Sequence, residues 1–483
     1  MAPTSLSPAT VEVLDRIEHL FQLSNDRLID ITRQFVEDYN LGLGEYNKAM
    51  AMIPTFVTGV PDGSEKGTFL ALDLGGTNLR VCEVTLHGDK TFTLRQQKYK
   101  VSEELKTGEA TRLFDYLADS VDAFLTEMGH EVTDVEALHL GLTFSFPVEQ
   151  SALDKGVLLT WTKGFAARNA IGKDVVKLLQ DAFDRKHLHV RCCALVNDTV
   201  GALLSRAYTS GGCFLGAIFG TGTNGAYVED ISKIKKLGDS TSLLGMSKMV
   251  VNTEWGAFNN SRSVLPSTPF DNKLDRESIN PRFQAYEKFI SGMYLGEITR
   301  NLLLNLVDAS PPILFNGNST PILNSHYGFD TAYMSDVENA SNLDEVQKVI
   351  VERVGFKPED VSLDDAKIVK WACHLVAARA AKLSGCAVAS VLIQTGLAKL
   401  GGGSSSGDER FSVGVDGSLI QHYPNFEDGL RASLRVLVGS DVESRVDIGL
   451  AKDGSGVGAA LCALQAVKQE KTLERALQDT SLG

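Results

Sequence analysis

The chain has little of what marks disulfide-rich, zinc-binding or membrane proteins. Its seven cysteines, Cys82, Cys192, Cys193, Cys213, Cys373, Cys386 and Cys462, are odd in number and form neither a C-x-x-C pair nor a His-Cys zinc spacing. They read as reduced, mostly buried thiols of a cytosolic protein. Positive charge is short as well: 47 Lys plus Arg face 61 Asp plus Glu, a net charge of −14, with no basic patch. Such a field repels phosphate backbones and anionic lipid, so neither nucleic acid nor a membrane surface is an expected partner. Met1 to Thr10 hold no basic n-region and no apolar h-region, so no signal peptide is expected. The longest uncharged run, Leu383 to Ala398, carries Ser384, Gly385, Ser390, Gln394 and Gly396 and is too short to span a bilayer. It predicts a core helix instead. What is present is a globular balance of 43% apolar and 22% charged residues over 483 positions, enough for two lobes.

Hydrophobic periodicity divides the chain. Val11, Leu14, Ile17, Leu20, Phe21, Leu28, Ile31 and Phe35 recur at helical spacing and predict one or two amphipathic helices. Phe69 to Leu74 and Leu79 to Leu86 are short apolar runs around Gly75-Gly76-Thr77-Asn78, which reads as a β-hairpin. Helices are expected at Arg112 to Met128 and Asp174 to His187, and a buried strand at Ala137 to Phe146. A strand at Arg191 to Val196 then leads through Asn197-Asp198 into a helix, Thr199 to Tyr208. A second hairpin follows, Phe214 to Phe219 and Tyr227 to Glu229 around Gly220-Thr221-Gly222-Thr223-Asn224. The shared Gly-Thr-Asn core of the two turns suggests a duplicated fold. Later segments read as helical at Arg282 to Val307, Leu343 to Gly355, Leu363 to Ala398 and Gly456 to Gln469, with a Gly401 to Gly407 loop and a strand-turn at Phe411 to Leu419.

Gly220-x-Gly222-x-x-Gly225 matches the dinucleotide fingerprint in letters only, because Ala226-Tyr227-Val228-Glu229 continues as strand where that site needs a helix. The chemistry that survives is backbone N–H groups of two glycine turns, aided by Thr77 and Thr221, able to hold adjacent phosphates. Asp73 beside the first turn suits Mg²⁺ held through water, or else turn amides; Arg80 suits phosphate or a carboxylate partner. Asp198, at a strand-to-helix handover, is either a helix cap or a carboxylate in a ligand crevice able to accept a hydroxyl proton. Ser145, Thr162-Lys163, Asn252-x-Glu254 and Glu297 are polar positions in apolar context, fit for a polyhydroxylated ligand or for ordinary capping.

Leu72-Asp73-Leu74-Gly75-Gly76-Thr77-Asn78-Leu79-Arg80-Val81, Thr143-Phe144-Ser145-Phe146-Pro147, Trp161-Thr162-Lys163-Gly164-Phe165, Asn197-Asp198-Thr199-Val200-Gly201, Phe219-Gly220-Thr221-Gly222-Thr223-Asn224, Asn252-Thr253-Glu254-Trp255-Gly256 and Ser291-Gly292-Met293-Tyr294-Leu295-Gly296-Glu297, in this order, resemble the eukaryotic hexokinase/glucokinase family over about residues 10 to 470. The resemblance implies an α/β, actin-like ATPase fold, a duplicated ribonuclease-H-like sheet in two lobes around a cleft. The small lobe would comprise 67–207 and 453–483, the large lobe 1–66 and 208–452. It implies transfer of the ATP γ-phosphate to the 6-hydroxyl of D-glucose and related hexoses, with Mg²⁺, in a cytoplasmic monomer or homodimer.

By that resemblance Asp198 is the general base and Lys163 a positive group near the acceptor. Ser145, Thr162, Lys163, Asn197, Asp198, Asn224, Asn252, Glu254 and Glu297 are sugar contacts. Asp73, Gly75, Gly76, Thr77, Asn78, Arg80, Thr221 and Gly222 form the phosphate side, and Thr331, Ser335, Gly417 and Ser418 the nucleoside side. Glucose-restricted glucokinase activity and a non-catalytic sugar sensor are the alternatives within the fold. A related actin-fold ATPase, such as a chaperone nucleotide domain, is the further alternative, and it leaves the Thr-Lys, Asn-x-Glu and Gly-Glu clusters unexplained.

Overall fold

A computed structural model describes residues 6–75, 78–129, 137–161, 164–238, 243, 245–403 and 409–481, with side chains through 472. In chain order its strands are β1 (Ile53–Pro54), β2 (Lys66–Leu74), β3 (Asn78–His87), β4 (Phe92–Lys100), β5 (Leu138–Phe144), β6 (Val148–Ala152) and β7 (Lys155–Leu158). They continue with β8 (Val190–Val196), β9 (Leu215–Phe219), β10 (Thr223–Asp230), β11 (Lys248–Asn252), β12 (Phe411–Asp416) and β13 (Val446–Leu450). One sheet runs β4-β3-β2-β5-β8 and a second β1-β11-β10-β9-β12-β13, with β6 and β7 as a separate hairpin.

The two sheets repeat one plan. In the first, β2 pairs antiparallel with β3, β3 antiparallel with β4, and β2 parallel with β5, which runs parallel with β8. In the second, β9, β10, β11, β12 and β13 take the same places with the same directions. Both Gly-Thr-Asn turns connect the first two strands of their sheet, so the duplication expected from the short repeat is real, and the fold is the actin-like ATPase fold. β10 runs on as strand through Asp230, which removes the dinucleotide reading of Gly220 to Gly225.

Local chemistry sets the helices that pack on these sheets. Ser7 and Ser24 cap the Pro8–Phe21 and Asn25–Gly44 helices, so the first amphipathic region is two helices broken at residues 22–24. A capping box of Ser362 with Asp365 starts the 32-residue Leu363–Gln394 helix. That helix is long and apolar enough to cross a membrane by length and composition, yet 83% of its most apolar window is buried inside the protein. It is the core helix that the uncharged run predicted, ending at Gln394. The Arg282 to Val307 stretch is two helices, Ala285–Ile290 and Gly292–Val307, because Ser291 takes an extended conformation between them. All seven cysteines are free and buried, and burial pushes the Cys82, Cys193, Cys213 and Cys386 thiols up to about 12.

The last helix, Gly454–Ser481, returns to the first sheet, and the Asp198–Ser210 helix lies between the sheets. Arg206 of that helix donates to Asp447 of β13 at 2.6 Å and to Ser412 of β12 at 3.2 Å, while Ser205 donates to the Lys452 carbonyl at 2.6 Å. These bonds tie the helix that starts at Asp198 to the second sheet and the chain just after it.

Candidate active site

The first turn closes with Gly75 N–H donating to the Asn78 carbonyl at 3.0 Å. Gly76 and Thr77, expected to hold phosphate, lie outside the described residues. Asp73 and Arg80 face each other across the β2–β3 ladder, and Arg80 Nη2 donates to Asp73 Oδ2 at 3.0 Å. Arg80 also pairs with Asp453 Oδ1 at 2.8 Å and donates to the Ser455 hydroxyl. Of the two roles open to Arg80, the carboxylate partnership is the one formed. Asp453 and Ser455 were missed by the sequence reading. Their signal was the Asp453-Gly454-Ser455-Gly456 turn that opens the last helix, whose Ser455 carbonyl is held by the Thr143 hydroxyl at 2.8 Å.

The second turn is locked from behind. Gly220 N–H donates to the Gly222 carbonyl at 3.0 Å, and the Gly220 and Thr221 carbonyls accept from Gly292 N–H at 2.7 Å and Met293 N–H at 3.1 Å. Thr221 is exposed. With its carbonyls claimed by the Gly292–Val307 helix, the turn is a rigid backbone platform. Gly417, at φ +114°, packs on it so closely that a Cβ would stand 2.5 Å from the Phe219 carbonyl oxygen; only glycine fits there. Exposed Ser418 follows at the start of the Ser418–His422 helix. Thr331 joins the same assembly, its hydroxyl donating to the Gly292 carbonyl at 2.6 Å and accepting from Gly296 N–H at 2.8 Å. Ser335 is half-buried one helical turn further on. The structure thus gathers Thr221, Gly222, Thr331, Gly417 and Ser418 around one turn.

The polar cluster beside that turn is tighter. Asn224 Nδ2 donates to Asn252 Oδ1 at 2.8 Å and to Glu254 Oε1 at 3.0 Å, and Asn252 Nδ2 donates to the same Glu254 oxygen at 2.8 Å. Glu254 holds a left-handed backbone at φ 53°, a strained setting that neighbouring bonds of Thr253 to Gly225 fix in place. Burial raises the Glu254 carboxyl above its ordinary value against the Asn252 and Asn224 donors, and the Asp198 charge adds to the rise.

Asp198 begins its helix and Asn197 caps it: Asn197 Oδ1 accepts from Thr199 N–H at 3.0 Å and from the Thr199 hydroxyl at 2.7 Å. The cap is Asn197, and Asp198 adds one bond from Thr199 N–H at 2.9 Å. Ser145 follows the carboxyl end of β5, the parallel neighbour of β8, with Thr143 in register with both Asp73 and Val196. Asp73, Ser145, Asn197 and Asp198 therefore lie at one end of one sheet, as ligand-binding groups of parallel sheets do. Thr162 and Lys163 lie outside the described residues; the flanking Trp161 and Phe165 stack at 5.5 Å, and Trp161 meets Phe146 edge-on at 4.9 Å.

Glu297 does not join them. It is 2% exposed, and its oxygens accept from Arg300 at 2.5 and 2.7 Å and from Tyr327 N–H at 2.7 Å. With His326 at 3.8 Å, every partner of Glu297 stands outside the cluster. The carboxylate brought to the site is Glu287, whose Oε2 accepts from Thr223 N–H at 3.1 Å and lies over Gly222. Gln284, three residues earlier, packs its amide oxygen against Gly256, beside Glu254. The available signal was the polar i, i+3 pair of Gln284 and Glu287 around Ala285 and Tyr286. Glu297 borders an apolar helix face in the same way.

Hexokinase family profiles match residues 13–208 and 214–465. The chain belongs to the hexokinase family. Relatives at full length agree: a glucokinase of Aspergillus niger is 40% identical over 96% of this chain and 99% of that protein. A hexokinase of Emericella nidulans is 38% identical over 97% of this chain and 94% of its own length. The hexokinase from Schistosoma mansoni complexed with glucose superposes with a TM-score of 0.80 at 37% identity, over 94% of this chain and 98% of that one. The two hexokinase profiles meet between residues 208 and 214, where the Asp198–Ser210 helix hands over to β9 and the second sheet begins.

Proposed function

We propose that this hexokinase-family chain transfers the γ-phosphoryl group of ATP to the 6-hydroxyl of glucose, with fructose and mannose as further acceptors. The observation that carries this is the hydrogen-bonded Asn224–Asn252–Glu254 cluster beside the second turn, with Asp198 following β8 at the carboxyl end of the first sheet. In this reading the cluster, with Asn197, Ser145, Thr162, Glu287 and Gln284, holds the sugar hydroxyls, and Asp198 takes the proton from the attacking oxygen. Lys163 supplies positive charge near the acceptor.

The two turns hold the phosphates, and Thr331, Ser335, Gly417 and Ser418 line the nucleoside side. Among the described residues no group of three or more metal-ligating side chains stands together. That donor set suits Mg²⁺, which arrives on the phosphates and needs one carboxylate through water, and Asp73 is that carboxylate. The ion's chemistry there is neutralisation of phosphate charge. The lobes would divide at 67–207 with 453–483 against 1–66 with 208–452, with the cleft between them closing over sugar and excluding water. Buried, unreactive thiols support a cytoplasmic setting.

A coupled assay of ATP consumption with glucose, fructose and mannose tests the proposal. Sugar-dependent product formation is expected. Sugar binding without turnover would identify a sensor, and ATP hydrolysis indifferent to sugar would overturn the proposed sugar phosphorylation.

A further inference from the structure

Segment 278–284 joins the Pro269–Glu277 helix to the helix that carries Glu287, and it is held in an unusual way. Ile279 is 94% exposed and Phe283 57%, so apolar packing contributes little to its position. Arg282 and Gln284 both sit in the left-handed region, at φ 61° and 52°, which non-glycine residues keep only when their surroundings impose it. At Arg282 what imposes it is one buried carboxylate, while Ala285 N–H, next to Gln284, is held by Asn260 Oδ1 at 3.0 Å. Asp275 accepts from Arg282 N–H with both oxygens at 3.1 Å, from Lys288 Nζ at 2.8 Å, and from Arg262. Lys288, 3% exposed, gives a second hydrogen bond to the Asn280 carbonyl at 2.7 Å. Burial opposes ionisation of Asp275, but the Lys288 and Arg282 hydrogen bonds and the Lys288 and Arg262 charges hold its carboxyl below the ordinary value.

We propose that Asp275 is a positioning residue for the sugar side of the site: with Lys288 it fixes segment 278–284 and so places Gln284 and Glu287 against the Asn224–Glu254 cluster. Lys288 follows Glu287 directly and Gln284 ends the stapled segment, so a shift of the segment moves both groups. The inference rests on the reading that Gln284 and Glu287 face the sugar. Groups that bind sugar equally in ground and transition states act on KM and not on kcat.

The test compares KM and kcat for glucose in Asp275→Asn, Lys288→Met, Lys288→Arg and Glu287→Gln. For Asp275→Asn and Lys288→Met we expect KM for glucose to rise about tenfold with kcat changed less than about threefold, and Lys288→Arg to recover most of the affinity. Glucose binding followed by titration calorimetry gives the same ordering without turnover. If Glu287→Gln leaves the glucose KM unchanged, the sugar-side reading fails. If Glu287→Gln raises it while Asp275→Asn and Lys288→Met bind glucose as the wild type does, or lose kcat and both substrate affinities together with thermal stability, the positioning role is overturned.

Discussion

Gly458 meets Gly201 backbone to backbone: a Cβ on Gly458 would come within 2.6 Å of the Gly201 carbonyl carbon. The last helix and the helix that begins at Asp198 cross at this point, so the carboxylate expected to accept the proton is seated on a contact that no side chain can enter. Gly458→Ala should lower stability by about 3 kcal/mol, because neither backbone can yield without moving its helix. Urea unfolding measures this, and an unchanged midpoint would contradict the closeness of the crossing.

Asp198→Ala should reduce kcat at least 100-fold, the order expected for loss of a general base, while the glucose Kd changes only a few-fold. Titration calorimetry beside the coupled assay separates the two quantities. Turnover near the wild-type level would remove Asp198 from the mechanism.

Glu254 makes stability depend on pH. Its carboxyl is raised above 4.5 by burial, against two amide donors and with the Asp198 charge. A raised carboxyl keeps a proton in the folded state that the unfolded chain has released, so its contribution is full below 4.5 and is lost as pH rises through the raised value. Glu254→Gln keeps an acceptor for Asn224 and Asn252 without the charge. Its urea midpoint should match the wild type at low pH and exceed it increasingly as pH climbs; a difference that is flat across pH would exclude the linkage.

Glu297 and Arg300 form a pair with both side chains 2% exposed. Removing the charge of one partner leaves the other buried and uncompensated, so Glu297→Gln should cost about 3 kcal/mol of stability. The glucose KM of the folded variant should stay within twofold of the wild type. A large rise in KM at unchanged stability would return Glu297 to the sugar side.

Arg80 bridges Asp73 and Asp453, with side-chain exposures between 17% and 20%. A double-mutant cycle of Arg80→Met and Asp453→Asn should give a coupling of about 1 kcal/mol or more in unfolding free energy. Additive single effects would show that the pair contributes nothing to holding the last helix against the first turn.

The architecture was legible where its physical cause is local. Two glycine turns between apolar runs, helical spacing before Asn40 and the uncharged Leu383 stretch each announce an element through neighbours in sequence, and each is found. The strands β4, β11 and β13 were not foreseen, because a sheet position is granted by partners far along the chain. The same divide runs through the site. Asn224, Asn252, Glu254 and Asp198 could be named from ordered short strings, while Glu287 and Glu297 present the same local pattern, a carboxylate near an apolar helix face.

By itself the sequence determined the two turns, the repeat they share and the family, since these depend on residue type at short spacing. Only the tertiary structure decided that Glu287 reaches the second turn, and that Arg80, besides its hairpin neighbour Asp73, meets Asp453. Which charge meets which partner depends on distances between segments tens to hundreds of residues apart, and those distances exist only once the chain has packed.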